Sequence, residues 1–194
     1  MGFLANIIKS VCLALYQSFN ASIVLAVLFM FVYIFARDYG VKEAAKLWIK
    51  NFKEDKKFVR VFLLVFYISM MLFRTVLARS YWSSPLMNVL GVWGLYDKSG
   101  NIYTENIENL MLFIPFGFLL LWAFRDRLFS TVEFTFKNLA LGMLVMSSVF
   151  SVVIEMCQLM LKLGTVQISD VFFNTFGGFI GGIIYYLIYL KKKS

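Results

Sequence analysis

Long apolar runs separated by short polar ones organise this chain, and the length of the runs sets the reading. About 20 predominantly apolar residues cover the hydrocarbon core of a bilayer when helical. Runs of roughly that length occupy 58–78, 107–124, 138–161 and 171–190, with a slightly shorter one at 19–35. The pattern predicts an all-α integral membrane protein of about five transmembrane helices. Residues 1–18 place Lys9 and Gln17 among apolar side chains. They are expected to form an N-terminal interfacial helix rather than a further span, because no loop would separate them from the next run. No small-residue cleavage site accompanies them, so they do not read as a cleaved signal peptide. The expected organisation is an interfacial segment (1–18), a first span with a basic loop (19–57), a transmembrane domain (58–190) and a basic tail (191–194).

Charge then orients the spans. The 36–57 segment carries Arg37, Lys42, Lys46, Lys50, Lys53, Lys56 and Lys57, the 125–137 loop carries Arg125, Arg127 and Lys137, and the tail carries Lys191, Lys192 and Lys193. Five spans place all three patches on one side, and an excess of Lys and Arg marks the cytoplasmic side. The N-terminus is therefore expected outside and the C-terminus inside. Loop 79–106 falls outside, with Arg79 and Lys98 against Asp97 and Glu105, and its Tyr81, Trp82, Trp93 and Tyr96 suit an interfacial aromatic belt.

Composition agrees with this. Of 194 residues, 61% are hydrophobic and 15% charged, against about 25% charged in soluble domains. The net charge of +8 is spent on the topology patches, with no aromatic-interleaved basic groove, so no nucleic-acid partner is expected. The expected partner is the lipid bilayer, and the localisation a cell membrane crossed several times. Histidine is absent, which removes the Ser-His-Asp triad and the His metal or haem site. Chemistry must use carboxylates, amides, hydroxyls or Arg. Cys12 and Cys157 sit in apolar stretches and are expected to be buried thiols, without a disulfide.

Ionisable and amide groups inside spans are costly and require a reason. Arg74, with Arg79 one turn further on, lies near the outer end of the second span. It reads either as a snorkelling cation or as a bidentate partner for a carboxylate or lipid phosphate. Glu105, Glu108 and Asn109 share a helical face at the mouth of the third span, ahead of Pro115 and Gly117, which are expected to bend or open that helix. The carboxylates also suit a helix N-terminus. Ser148, Ser151, Glu155, Gln158 and Lys162 step by three and four down the fourth span as one polar stripe. Glu155 and Arg74 lie at similar depths, roughly 9 and 6 Å from their span ends, and an ion pair between them is the expectation. The stripe reads equally as an interhelical hydrogen-bond network. Asp170 and Asn174 open the fifth span, ahead of Gly177, Gly178, Gly181 and Gly182, a close-packing seam. All these groups fall in the outer half, as the lining of an outer-leaflet pocket would.

The same residues carry a resemblance. Segments 108–117 (ENLMLFIPFG), 151–158 (SVVIEMCQ) and 169–178 (SDVFFNTFGG), in this order and spacing, resemble the three signatures of the VanZ-like family, over about 66–182. The resemblance implies a bacterial, usually Gram-positive, cell-membrane protein. It also implies low-level resistance to teicoplanin, a glycopeptide bearing a fatty chain, without rebuilding of the peptidoglycan terminus. Before the last span many members carry more acidic residues and an Arg, where this chain has 164–170 (GTVQISD). No carboxylate-rich metal site and no cofactor are therefore expected. The leading reading is a binding module for a lipid-tailed glycopeptide or lipid-linked cell-wall molecule. The rivals are a membrane enzyme on a polyprenyl-phosphate or acyl substrate, with Glu155 and Glu108 or Asp170 as acid and base, and a structural partner in a membrane complex.

Overall fold

The computed structural model describes residues 2–35, 40–77, 84, 86–94, 96 and 104–193, with only part of the side chains in the first helix. Among the described residues the protein is helical, without a β-strand: α1 (Gly2–Phe35), α2 (Val41–Glu54), α3 (Lys56–Leu72) running into a π-helical turn (Phe73–Leu77), α4 (Glu105–Leu128), α5 (Phe136–Leu161) and α6 (Ile168–Lys193). Four helices here are long and apolar enough to cross a membrane, Lys56–Leu77, Glu105–Leu128, Phe136–Leu161 and Ile168–Lys192, and a shorter apolar stretch, Ser22–Ile34, lies within α1. These match the runs read from hydropathy, with ends shifted by a few residues.

Two segments differ from expectation. Residues 1–18 were expected to stand apart from the first span, but α1 is one continuous 34-residue helix. Gly and Pro, the residues that break helices, are absent from 3–35. At 1.5 Å per residue α1 is about 51 Å long, well beyond a hydrocarbon core of about 30 Å. The basic loop 36–57 contains a helix, α2. Val41, Ala44, Trp48 and Phe52 recur at steps of three and four, and the lysines take the opposite face. The apolar face folds back onto α1 and α3: Ala44 is fully buried with Met30, Ile34 and Phe58, and Leu47, Trp48 and Phe62 pack against them. Asp55 ends α2 and starts α3, its carboxylate accepting from the Lys57 backbone N–H at 2.7 Å, as an N-cap does.

Across the bundle the packing order is α1, α3, α4, α6, α5, with α6 wedged between the backbones of α4 and α5, which still meet through the stacked rings of Phe116 and Phe150 at 4.6 Å. Glycine makes the wedge fit. A Cβ on Gly177 or Gly181 would press into the Leu110 or Ile114 carbonyl of α4, and one on Gly178 or Gly182 would meet Ser147 or Met143 of α5. The expected seam is thus two-sided. Pro115 does not open α4, which runs unbroken to Leu128. Its missing amide leaves the Met111 carbonyl without a helical donor, and beside it the Tyr67 hydroxyl donates to the Leu112 carbonyl at 2.7 Å. Neighbouring helices commonly support the backbone around a proline in this way. The cysteines are free, and Cys12 is exposed while Cys157 is half-buried, contrary to the expected burial. An apolar run in a membrane helix also supplies the lipid-facing side.

Candidate functional site

The C-terminal end of α3, the N-termini of α4 and α6 and the C-terminal half of α5 meet at one end of the bundle. Every nominated residue that the structure describes lies there. Arg79 lies outside the described residues, as do Arg37, Asp38, Tyr81, Trp82, Pro85, Asp97 and Lys98.

The π-helical turn puts neighbouring residues to different uses. Such turns widen the backbone spiral and recur at functional sites. The Arg74 guanidinium pairs with Glu108 Oε2 at 3.3 Å. Glu108 Oε1 accepts from Ser10 of α1 and Thr104, both at 2.9 Å, so three donors from three segments converge on one carboxylate. One residue on, the Thr75 hydroxyl bonds back to the Met71 carbonyl at 2.7 Å, and the Thr75 carbonyl accepts from Gln158 Nε2 at 2.7 Å. The expected Arg74–Glu155 pair is not formed. Depth along the spans pointed to Glu155 alone, whereas the packing of α3 on α4 brings Glu108 to Arg74.

Glu155 serves the turn into α6. Buried at 3% exposure, it accepts the Gln167 backbone N–H at 3.0 Å, just ahead of the first residue of α6, where the helix dipole favours an anion. Loop residues 86–93 cover the other side of this turn. The Ile168 N–H donates to the Val89 carbonyl at 2.8 Å and the Asn106 amide to the Val92 carbonyl at 2.6 Å. Gly91 sits between at φ +73°, where a Cβ would also lie 2.9 Å from that of Ser169. Deeper in, Asn174 Nδ2 donates to the fully buried Ser151 hydroxyl at 2.9 Å. Asp170 is buried and Glu105 half-buried beside this set.

The α5 stripe needs correction at both ends. Ser147 rather than Ser148 is fully buried, because it faces Gly178 of α6. Lys162 is exposed and terminates the helix at φ 53°, ψ 43°. With the Leu163 N–H on the Gln158 carbonyl and the Lys162 N–H on that of Leu159, this is a Schellman turn built without glycine. Among the described residues, three buried amide atoms at this end make no hydrogen bond: Asn106 Oδ1, Asn109 Nδ2 and Asn174 Oδ1.

Residues 19–189 match the VanZ/LLP1 family. The chain belongs to this family. A relative, Protein VanZ of Enterococcus faecium, is 34% identical over 106 residues, which is 50% of this chain and 59% of the relative. The chain thus spans about three-fifths of the length of the curated relative it matches. No solved structure matches. Four apolar membrane-length helices in a VanZ/LLP1 chain make this a multi-pass cell-membrane protein. All the nominated positions fall within the family match, whereas Ser10, which donates to Glu108, precedes it. Sequence reading missed Ser10, Thr75, Asn106 and Gln167. Of these, only the backbone roles of Thr75 and Gln167 had no side-chain signal at all. Asn106 was visible as a further amide beside Glu105, and Ser10 as one hydroxyl among several in α1.

Proposed function

We propose that this VanZ/LLP1 protein lowers susceptibility to teicoplanin-type lipoglycopeptides. In this reading the Glu108 end of the bundle faces outward and engages a lipid-tailed glycopeptide or a lipid-linked cell-wall molecule. The observation that carries it is the set of buried amide atoms left without partners, Asn109 Nδ2 foremost. Buried polar groups without hydrogen bonds are rare and costly, and three amide atoms of those left unpaired lie together at this end of the bundle, where a ligand reaching between the helix ends would complete their bonds. The enzyme reading is less well supported, because the cation nominated to hold a phosphate, Arg74, is already matched by Glu108.

Asn109→Leu separates binding from architecture. Removing an unsatisfied buried amide is near neutral or stabilising for the fold, whereas losing one ligand hydrogen bond of about 1 kcal/mol weakens binding about fivefold. The variant is expected to melt no lower than wild type in detergent, yet to leave a susceptible Gram-positive host more sensitive to teicoplanin. Unchanged resistance from the stable variant would remove the amide from the site. Resistance to a glycopeptide without a fatty chain should not change in either strain.

The orientation is tested separately. Single cysteines at positions 53, 98 and 192 in a Cys-free background should label from outside only at 98, because Lys-rich and Arg-rich segments are retained in the cytoplasm. Labelling of 98 only after permeabilisation would turn the Glu108 end inward and end the proposal.

A further inference from the structure

A wide opening lies at the other end of the bundle, and none of the residues nominated for the outer pocket lines it. It is a cavity of about 620 Å³ between α3, α4 and α6. Five cations ring it, Lys57, Arg60, Arg125, Arg127 and Lys192, against one carboxylate, Asp126. Asp126 is taken up by Arg125. No described carboxylate lies within ion-pair distance of the other four.

Topology alone asks only that such cations be present on this side; here two of them are also fixed. Arg60 stacks over Trp122 at 5.4 Å and donates to the Trp122 carbonyl at 3.5 Å. Arg125 lies over Tyr189 at 4.6 Å and Phe134 at 5.7 Å. The lining changes character with depth. Arg125 and Lys192 stand at the ends of α4 and α6, and seven residues inward on the same helices are Phe118 and Tyr185, about 10 Å deeper. Phe118 and Tyr185 touch edge to face at 5.7 Å. A second, smaller cavity shares Arg60 and Trp122 and adds Lys53 and Lys56, so the basic rim continues to the end of α2.

We propose that this cavity binds the phosphate of an anionic phospholipid headgroup from the leaflet at the basic end, with the acyl chain along the aromatic and aliphatic wall. Cations at the mouth, an apolar floor and a place at the ends of three membrane-length helices are the features that match a lipid rather than a soluble anion. Basic recesses between membrane helices take anionic headgroups on these terms.

The test uses the full-length protein in detergent, with retained lipid read by native mass spectrometry. The probes are phosphatidylglycerol, phosphatidylcholine and glycerol 3-phosphate. Phosphatidylglycerol should be retained and raise the melting temperature, and phosphatidylcholine should do neither. Lys57→Gln/Lys192→Gln removes two exposed cations with no ion pair, and should weaken retention about thirtyfold, while Lys50→Gln/Lys137→Gln, equally charged but outside the cavity, should leave it within about threefold. Equal losses in the two double variants would reduce the effect to general surface charge and overturn the proposal. Glycerol 3-phosphate stabilising as well as the lipid at equal concentration would overturn it in favour of a soluble phosphate ligand.

Discussion

Alanine at Gly177 is expected to be among the most damaging small substitutions in this protein. The new Cβ would press into the Leu110 carbonyl oxygen and lie 3.0 Å from both its carbon and the Cβ of Phe113. Backbone cannot yield as a rotamer does, so α4 and α6 must part along the most extensive interface in the bundle. Gly181→Ala meets the same obstacle at Ile114 and, at 2.9 Å, the Phe118 nitrogen. Each should cost about 3 kcal/mol or more, at or above the upper end of overpacking effects. Gly182→Ala is the control, because what it meets is the Met143 side chain, 2.6 Å away at Cγ, and methionine repacks readily. Its cost should stay near 1 kcal/mol. Thermal melting in detergent, followed by size-exclusion recovery, reads all three. Equal melting of the Gly177 and Gly182 variants would mean that α6 does not lie against the α4 backbone as described.

Hydrophobic run length made the spans legible, because lipid satisfies no backbone hydrogen bonds and so leaves helices as the available answer. The gathering of polar groups at one end was legible for a related reason: a buried amide or charge within a span stands out against Leu and Phe. What stayed hidden depends on which helix faces which. Depth along a span matched Arg74 to Glu155, but depth carries no angular information, and the α3–α4 packing selected Glu108. The α2 helix was hidden differently. Its apolar spacing was present in the sequence, yet seven basic residues between 36 and 57 read first as a topology signal. The basic cavity needed both kinds of missing information, since Lys57, Arg125 and Lys192 are far apart in the chain and meet only through the packing of three helix ends.

The second large effect is expected at Arg74. Removing one partner of a buried ion pair costs about 3 to 5 kcal/mol, and the Arg74 side chain is 32% exposed against 12% for Glu108, so a loss of about 2 to 3 kcal/mol is expected for Arg74→Ala or Glu108→Ala. Because each substitution strands the other charge, the double variant should be more stable than the summed losses predict by at least about 1 kcal/mol. Arg74→Ala combined with Glu155→Ala should show a clearly smaller coupling, since Glu155 receives the Gln167 amide and not the guanidinium. Melting temperatures of wild type, the three single variants and the two doubles decide between the pairings. A larger coupling to Glu155 than to Glu108 would refute the pair. The swap Arg74→Glu/Glu108→Arg carries the question on to function. It keeps opposite charges together but moves the cation from the π-helical turn to α4, where Ser10 and Thr104 now face a donor in place of the acceptor they serve. Partial recovery of stability with teicoplanin sensitivity is expected if the pair shapes the ligand site. Recovery of stability together with resistance would make the pair a clasp between α3 and α4, and leave recognition to the amides of Asn109 and Asn174.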